Sequence, residues 1–210
     1  MSPDAVTQKT FTEIGTSGLR RFAGIISDEP YGKSLSWHEQ VRIYSEMVNN
    51  EPLIAAGLSA IDAIIRKVDW YVKPFSNSSE DQAVADFVES CMHDMSVTWV
   101  DTISEILTMI QYGWAFHEIV YKRRSGTVND DPTDSGNGDN SLYNDGKVGW
   151  RYLPLRAQET LFRWQFADNG QVLGMVQQAP PHYEIVPIPM QRAMLFRTRN
   201  VKGDPQGRSI

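Results

Sequence analysis

The spacing of the hydrophobic residues changes once along this chain, at residue 114. Before that point apolar residues recur three or four positions apart, as a helix requires, for example at Leu58, Ile61 and Ile65. After it, residues 114–124 alternate between apolar and polar side chains, which is the period of a β-strand. Helices first and strands second are typical of the α+β class, so we predict N-terminal helices followed by a mainly antiparallel β region.

Four helices are predicted within residues 34–113, the helical part of the chain. A capping box at Ser36–Glu39 begins the first, Pro52 suits the first turn of the second, and Gly113 ends the fourth in a left-handed conformation. A second capping box, Ser79–Gln82, begins the third. The second helix is rich in leucine and isoleucine, and we expect it to be a core helix. The four predicted spans are 36–50, 52–67, 79–91 and 97–112.

The β-rich part is predicted to cover residues 114–210. Asp168, Asn169 and Gly170 have the composition of a tight hairpin turn, so the strands on either side of them should pair. One short strand is also predicted among the helices, where Pro74 would end it. The candidate strands are 69–73, 114–124, 148–153, 160–166, 172–177, 183–186 and 193–198.

Two segments lack any regular hydrophobic period. Residues 1–33 carry several glycines and a proline, and we predict an extended N-terminal arm that is ordered only by contact with something else. Residues 127–146 contain five Asp, four Asn, three Gly and no Lys or Arg, a composition too polar to bury. We therefore predict a disordered or flexible loop, or the tip of a surface hairpin, at residues 125–147.

Membrane insertion and disulfide bonding are both disfavoured by the sequence. No run of apolar residues approaches the roughly 18–20 that a membrane span needs, and the N-terminus has no secretory signal pattern. The single cysteine, Cys91, excludes an internal disulfide and a cysteine-based zinc site. We predict that it is a small buried side chain on a helix, in a protein of a reducing cytoplasm.

Charge is divided unevenly between the two parts of the chain, although the net charge is −6. Residues 147–210 contain nine Lys or Arg and four Asp or Glu, whereas residues 1–146 contain 11 and 22. Two solvated surfaces would explain this division. It also suits subunits that meet with an acidic face against a basic face.

Catalytic and metal-binding motifs are not found. When Gly136 is placed at position 6 of a calcium loop, the remaining ligand positions carry the wrong residues, and the glycines do not form a phosphate-binding loop. No two histidines have helical zinc spacing. His93 with Asp94, and His117 with Glu118, leave open a metal-dependent hydrolase assembled through the fold. We expect His38 at a surface, His93 near a helix end and His117 at a wet or interfacial position. We predict no enzyme, no metal and no cofactor.

Aromatic residues are frequent in the predicted strands and have arginines nearby. Such strands stack on and neutralise single-stranded nucleic acid in some proteins, so a nucleic-acid-binding module is a second alternative. A core combined with a protein interface rich in Trp, Tyr and Arg explains the same composition, and we favour it. The residues concerned are Trp114, Phe116, Tyr121, Trp150, Arg151, Tyr152, Arg156, Phe162, Arg163, Trp164 and Phe166.

Several short motifs follow one another in the second half of the chain: Trp114–Tyr121, Trp150–Pro154, Trp164, Gly170, Ile188–Pro189, Phe196 and Gly203–Ser209. In their order and rough spacing these motifs resemble the portal proteins of tailed bacteriophages, in particular the Mu-like branch. The positions that we take as family-motif or interface candidates are Trp114, Glu118, Trp150, Pro154, Trp164, Pro189, Gly203, Pro205, Gly207 and Arg208.

The resemblance implies a structural protein with the fold of a portal wing region. Portal proteins form a ring, generally of twelve subunits, at one capsid vertex, and DNA passes through the ring during packaging and ejection without sequence recognition. The implied partners are other copies of the chain, the capsid or scaffold protein, the terminase, head–tail adaptor proteins and double-stranded DNA. The implied location is the virion, with the host cytoplasm during assembly.

The final motif also suggests that the polypeptide continues. Gly203, Pro205 and Gly207 have the chemistry of a turn, and the pattern from Arg208 to Ile210 resumes without a polar tail. We expect a helix to follow in a longer parent protein. The resemblance then implies that the segments facing DNA and the terminase lie beyond residue 210.

Overall fold

A computed structural model of the chain describes residues 15–27, 37–126 and 140–210. Five helices precede the main strands, so the prediction of an α+β fold is confirmed. The predicted capping residue Ser36 and most of the acidic tract lie outside the described residues. The helices are α1 (Trp37–Asn50), α2 (Pro52–Ile65), α3 (Ser79–His93), α4 (Trp99–Ile106) and α5 (Thr108–Tyr112).

Side-chain caps and one glycine set the helix ends. The Ser78 hydroxyl accepts a hydrogen bond from the Asp81 N–H at 3.1 Å, so α3 is capped one residue earlier than predicted. The predicted helix 97–112 is divided at Leu107, where ψ is −11° instead of about −42°. Gly113, with φ 91°, ends α5 in the left-handed conformation that the sequence predicted.

In the described part of the chain, ten strands form four small antiparallel sheets. The orders are β1-β2, β10-β3-β6, β4-β5 and β7-β8-β9. Gly170, with φ 91°, lies in the turn between β7 and β8, which confirms the predicted hairpin. The strands are β1 (Arg21–Phe22), β2 (Ile25–Ile26), β3 (Trp114–Glu118), β4 (Val120–Ser125), β5 (Asn144–Tyr152), β6 (Leu155–Arg156), β7 (Leu161–Phe166), β8 (Val172–Gln178), β9 (Ile185–Pro189) and β10 (Ala193–Arg197).

The hydrophobic core lies between the sheet of β3 and the sheet of β7, β8 and β9. The Trp114 and Trp164 rings meet edge to face with centroids 5.1 Å apart, and Trp37 of α1 covers Trp114 at 5.5 Å. Phe116, Met175 and Ile188 complete the buried centre. Aromatic side chains on β3 therefore join the two main sheets.

Helix α2 is not the core helix that its composition predicted. None of its residues is buried, although Asp62 is its sole charged residue. Leu53 is 85% exposed and Ile64 is 67% exposed. A helix with apolar residues on all sides is normally covered. The sequence correctly indicated that α2 is apolar, but it did not show what covers the helix. Residues 69–73, predicted as a strand, pair with none of the strands that the structure describes.

The described portion of the N-terminal arm contains a small hairpin made of β1 and β2. It packs against β7 of the same chain, where the Trp164 N–H donates to the Gly24 carbonyl at 2.9 Å. A Cβ on Gly24 would lie 2.1 Å from the Trp164 carbonyl oxygen, so only glycine permits this approach. The Arg21 guanidinium stacks over the Phe166 ring at 4.3 Å. Among the described residues, no helix combines the length and the apolar character needed to span a bilayer.

Candidate functional site

Strand β3 is the element around which the motif residues gather. It lies at the centre of its sheet, with β10 on one side and β6 on the other. Trp114 begins the strand and Glu118 ends it. Several of the other motif residues pack against one of these two ends or against the buried centre of the strand.

The two core tryptophans of the motif set are fully enclosed. Trp114 is 0% exposed and Trp164 is 1% exposed, and Phe116 between them is buried as well. A nucleic-acid base cannot stack on a ring that solvent does not reach, so these three side chains are unavailable for the nucleic-acid alternative. Their position instead fixes β3 against β7.

Glu118 and Pro154 meet at the far end of β3. The Glu118 N–H donates to the Pro154 carbonyl at 3.1 Å, and the Glu118 carboxylate accepts a hydrogen bond from Arg156 Nε at 2.9 Å. A second nitrogen of the Arg156 guanidinium also contacts this carboxylate. Charge-assisted contacts of this kind are stronger than neutral ones. One of the arginines near the aromatic strands is therefore already paired within its own sheet.

The last motif, residues 203–209, packs against the start of β3, and we call it the Gly-Pro turn. A Cβ on Gly207 would lie 2.3 Å from the Gly113 carbonyl oxygen, and a Cβ on Gly113 would lie 2.5 Å from the Gln206 carbonyl oxygen. Both glycines have positive φ, 91° at Gly113 and 57° at Gly207. The two backbones touch without side chains between them, which requires glycine on both sides.

Hydrogen bonds fasten the Gly-Pro turn to the end of β10. The Thr198 N–H donates to the Gly113 carbonyl at 3.1 Å, and the Arg208 N–H donates to the Thr198 hydroxyl at 3.2 Å. Arg197 donates to the Asp204 carbonyl at 2.8 Å. Pro205 is buried inside the turn. The motif is thus a folded part of the β-sheet region and not a loose tail.

Trp150 and Pro189 are not brought to β3, and the Arg208 side chain and the Cα of Gly203 do not pack against it. Trp150 is half-buried on β5, Pro189 is exposed at the end of β9, and the Arg208 side chain is exposed. Gly203 has φ 73° but no atom within 4 Å of where its Cβ would be. The structure therefore gathers the motif residues at two ends of β3 and in the core, with Trp150 and Pro189 elsewhere.

His117 is buried, whereas the sequence predicted a wet or interfacial position. It lies on β3, is 0% exposed and packs edge to face on Phe196 at 5.7 Å. Its Nδ1 hydrogen-bonds with the Leu153 carbonyl at 2.7 Å. Burial lowers the pKa of His117, although the Leu153 carbonyl and the charge of Glu105 act in the opposite direction. The expectation was wrong because strand alternation does not show which of two faces is covered.

Acid should destabilise the fold through His117. Because its folded pKa lies below the ordinary value of 6.5, only the unfolded state takes up a proton as the pH falls through that value. We expect the free energy of unfolding to fall by up to about 1.4 kcal/mol per pH unit from this group. Urea denaturation at pH values on both sides of 6.5 measures how the free energy of unfolding depends on pH. This dependence should be weaker in His117→Gln than in wild type. The exposed His38→Gln variant is the control and should keep the wild-type slope.

A buried ionic cluster between α3 and β4 was not predicted. The Lys122 ammonium lies 3.2 Å from the Asp94 carboxylate, and both side chains are at most 2% exposed. Ser141 and the Leu142 N–H each donate to this carboxylate at 2.7 Å. Burial would raise the pKa of Asp94, but hydrogen bonds from Leu142, Ser141 and Lys122 outweigh it and hold the pKa below its usual range.

Arg124, two residues further along β4, extends the cluster. Its guanidinium lies 3.1 Å from the Asp145 carboxylate, donates to the Ser90 hydroxyl at 2.8 Å and stacks over Tyr143 at 4.0 Å. Cys91 is buried beside it on α3, so the expected burial of this side chain on a helix is confirmed. The cluster holds β4 and β5 against α3. Charged residues at alternate positions of a strand usually face solvent, and for that reason the buried cluster could not be predicted from the sequence.

The contacts of the described side chains pack the two main sheets together and attach the Gly-Pro turn to β10 and the start of β3. Within residues 15–27, 37–126 and 140–210, no three His, Cys, Asp or Glu side chains form a group that could hold a metal ion. His93 ends α3, as expected, and His117 is enclosed in the core. The two histidines that the hydrolase alternative required are therefore set in different surroundings.

Comparison with known families gives one result that covers most of the chain. Residues 41–210 match the family described as the portal protein of Mu bacteriophage. This range includes α2 to α5, the ionic cluster, β3 and the Gly-Pro turn. The comparison with curated proteins gave no match.

Proposed function

This chain belongs to the portal protein family of Mu bacteriophage, and we propose that it is a structural subunit of the head–tail connector of a tailed phage. In this role it forms a ring, with twelve subunits as the family implies, at one capsid vertex. DNA enters the capsid through the ring during packaging and leaves through it during ejection. The subunit itself catalyses no reaction.

The match over residues 41–210 is the observation that carries this proposal, and the surface of the chain supports it. A ring subunit must present surfaces to its two neighbours. Helix α2 exposes apolar side chains that an isolated protein would cover, and the helical part and the β-rich part carry opposite net charges. Both features suit a chain that works beside copies of itself.

The partners proposed are those that the position at a capsid vertex requires. They are other copies of the chain, the capsid or scaffold protein, the terminase, the head–tail adaptor proteins and double-stranded DNA. DNA must slide through the ring, so contacts to it are to the phosphate backbone and not to the bases. The virion is the proposed location, with assembly in the host cytoplasm.

Immunogold labelling of phage particles tests this proposal. Antibodies against the purified chain should label one point per particle, at the junction of head and tail. An early stop codon in the encoding gene should give heads without packaged DNA, and the intact gene supplied in trans should restore filled heads. Label distributed over the whole capsid or along the tail, or DNA-filled heads in the stop-codon phage, would contradict the proposal.

A further inference from the structure

The turn between β7 and β8 carries an Asn–Gly pair, Asn169 and Gly170. Asn169 is exposed at the tip of the turn, and Gly170 has φ 91°. In such a pair the backbone nitrogen of the second residue attacks the side-chain carboxamide of the first, and glycine has no side chain to obstruct the approach. The turn therefore holds two neighbouring groups that react with each other.

One hydrogen bond in the turn favours this reaction and another opposes it. The Gln171 N–H donates to Asn169 Oδ1 at 3.1 Å, and this oxygen gains negative charge when the carboxamide carbon is attacked. A backbone donor already aimed at a developing oxyanion stabilises the transition state. The Gly170 N–H donates to the Ala167 carbonyl at 2.9 Å, and this bond must break before the nitrogen attacks. Opening one surface turn requires only a local fluctuation of the chain.

A positive charge lies over the same turn. Arg21, in the hairpin of β1 and β2, stacks its guanidinium on the Phe166 ring and contacts the Ala167 carbonyl at 3.5 Å. Two guanidinium nitrogens lie 3.9 Å from where a Cβ on Gly170 would be. In the described part of the chain these contacts leave the charge of Arg21 without a carboxylate partner. A cation in this place favours negative charge on Asn169 Oδ1 during the attack.

We propose that Asn169 deamidates in the folded chain and that the carboxylate formed there pairs with Arg21. The Gly170 nitrogen forms a bond to the Asn169 carboxamide carbon. The amide group leaves as ammonia, together with the proton that the Gly170 nitrogen gives up, and a five-membered succinimide ring is closed. Water then opens the ring at one of its two carbonyls and leaves aspartate or isoaspartate. The reaction needs no co-reactant except water.

The product changes how the N-terminal hairpin is attached. In the unmodified chain Arg21 holds β1 to the turn through an aromatic ring and a neutral carbonyl. Deamidation adds a negative charge at residue 169, between the Ala167 carbonyl and the Gly170 backbone that Arg21 already approaches. An ion pair there is charge-assisted and stronger than the contact to a neutral carbonyl. The modification therefore fastens the hairpin of β1 and β2 to the β7–β8 turn.

Peptide mapping by mass spectrometry tests the modification. After incubation of the purified wild-type chain in mildly alkaline buffer, the peptide containing Asn169 should gain the mass of a hydroxyl in place of an amino group. It should also separate into aspartate and isoaspartate forms. Asn200 is exposed but precedes the branched Val201, which hinders the attacking nitrogen, so it is the internal control and should stay unmodified. An intact Asn169 in the folded chain would overturn the proposal. Reaction of a synthetic peptide of residues 163–177 under the same conditions would then show that the turn protects the pair.

A variant of the arginine tests its part in the reaction. Arg21→Gln should deamidate at least about twofold more slowly than wild type, because no cation then faces the forming oxyanion. Arg192→Gln removes an exposed arginine from a different part of the surface and should keep the wild-type rate. Circular dichroism checks that both variants are folded. An unchanged rate in Arg21→Gln would contradict the role assigned to this side chain.

Hydrogen exchange tests the pairing of the product. Asn169→Asp supplies the carboxylate from the start, and backbone amides of β1 and β2 should exchange roughly twofold to fivefold more slowly in it than in freshly purified wild type, as one partly exposed ion pair allows. The same substitution made in Arg21→Gln should give no such protection. Equal exchange in Asn169→Asp and wild type would show that the new carboxylate does not pair with Arg21, and the proposed attachment would be wrong.

Discussion

Gly113→Ala is expected to destabilise the fold by on the order of 3–5 kcal/mol, because the new Cβ would meet the Gln206 carbonyl oxygen at 2.5 Å. Two effects add. The backbone at Gly113 has φ 91°, which an L side chain rarely adopts, at a cost of about 1–3 kcal/mol. The obstacle is also backbone and not a flexible side chain, so overpacking costs a further 1–3 kcal/mol or so. Denaturant unfolding of the purified chain measures the loss.

Gly203→Ala separates the two effects. Gly203 also has positive φ, 73°, but no atom lies within 4 Å of where its Cβ would be. This variant should lose only the conformational part, about 1–3 kcal/mol. Gly207→Ala should resemble Gly113→Ala, because its Cβ would meet the Gly113 carbonyl oxygen at 2.3 Å. Equal losses of stability in Gly203→Ala and Gly113→Ala would show that the close approach of the two backbones adds nothing to the cost of placing a Cβ at residue 113.

Asp94→Ala is expected to cost about 3–5 kcal/mol, because it leaves the Lys122 ammonium buried without its carboxylate. The Ser141 hydroxyl and the Leu142 N–H would lose their acceptor in the same variant. Because the folded pKa of Asp94 is lowered, the ionised carboxylate stabilises the wild-type fold. The wild-type free energy of unfolding should therefore fall as the pH drops from about 3.9 through that lower pKa. Asp94→Ala should lack this acid-dependent loss.

A double variant shows how much of that cost comes from the unpaired charge. Asp94→Ala/Lys122→Met should be less destabilised than Asp94→Ala alone, because the buried ammonium is gone. Glu46→Ala, which removes a partner of the exposed Arg42 on α1, is the surface control and should stay close to wild type. A double variant as unstable as the sum of the two single variants would show that Asp94 and Lys122 act independently.

Local signals in the sequence were sufficient for the parts of the fold that depend on local chemistry. The left-handed end at Gly113, the hairpin turn at Gly170 and the first-turn proline of α2 are each set by one residue's backbone preferences. The change of hydrophobic period at residue 114 likewise separated helices from strands. None of these features depends on which distant segment is packed nearby.

Features that depend on distant partners were not predictable in this way. Helix α2 was expected in the core because it is rich in apolar residues. Composition shows that a helix is apolar, but it does not show which segment or partner covers it. Lys122 and Arg124 have the pattern of a solvated strand, yet α3 and β5 enclose them. His117 alternates with Phe116 on β3, and both are buried because both faces of this strand are covered.

For the motif residues, too, the sequence showed which positions matter but not which of them meet in the fold. The sequence singled out Gly207 and Trp114, but it gave no means of seeing that the Gly-Pro turn would lie against Gly113, the residue just before Trp114. That contact joins positions more than ninety residues apart, and only the folded chain brings them together. Motif spacing along a sequence indicates that residues matter, whereas their shared location depends on topology.

The position of β3 has a consequence for synthesis on the ribosome. Its neighbour β10 and the Gly-Pro turn come from residues 193–197 and 203–209, roughly eighty and ninety residues downstream. A nascent chain therefore carries Trp114 and Phe116 without their final enclosure until the translated polypeptide has lengthened by that amount. During this interval the helices can form while the sheet stays open, and chaperones that recognise exposed aromatic strands have a defined window in which to bind.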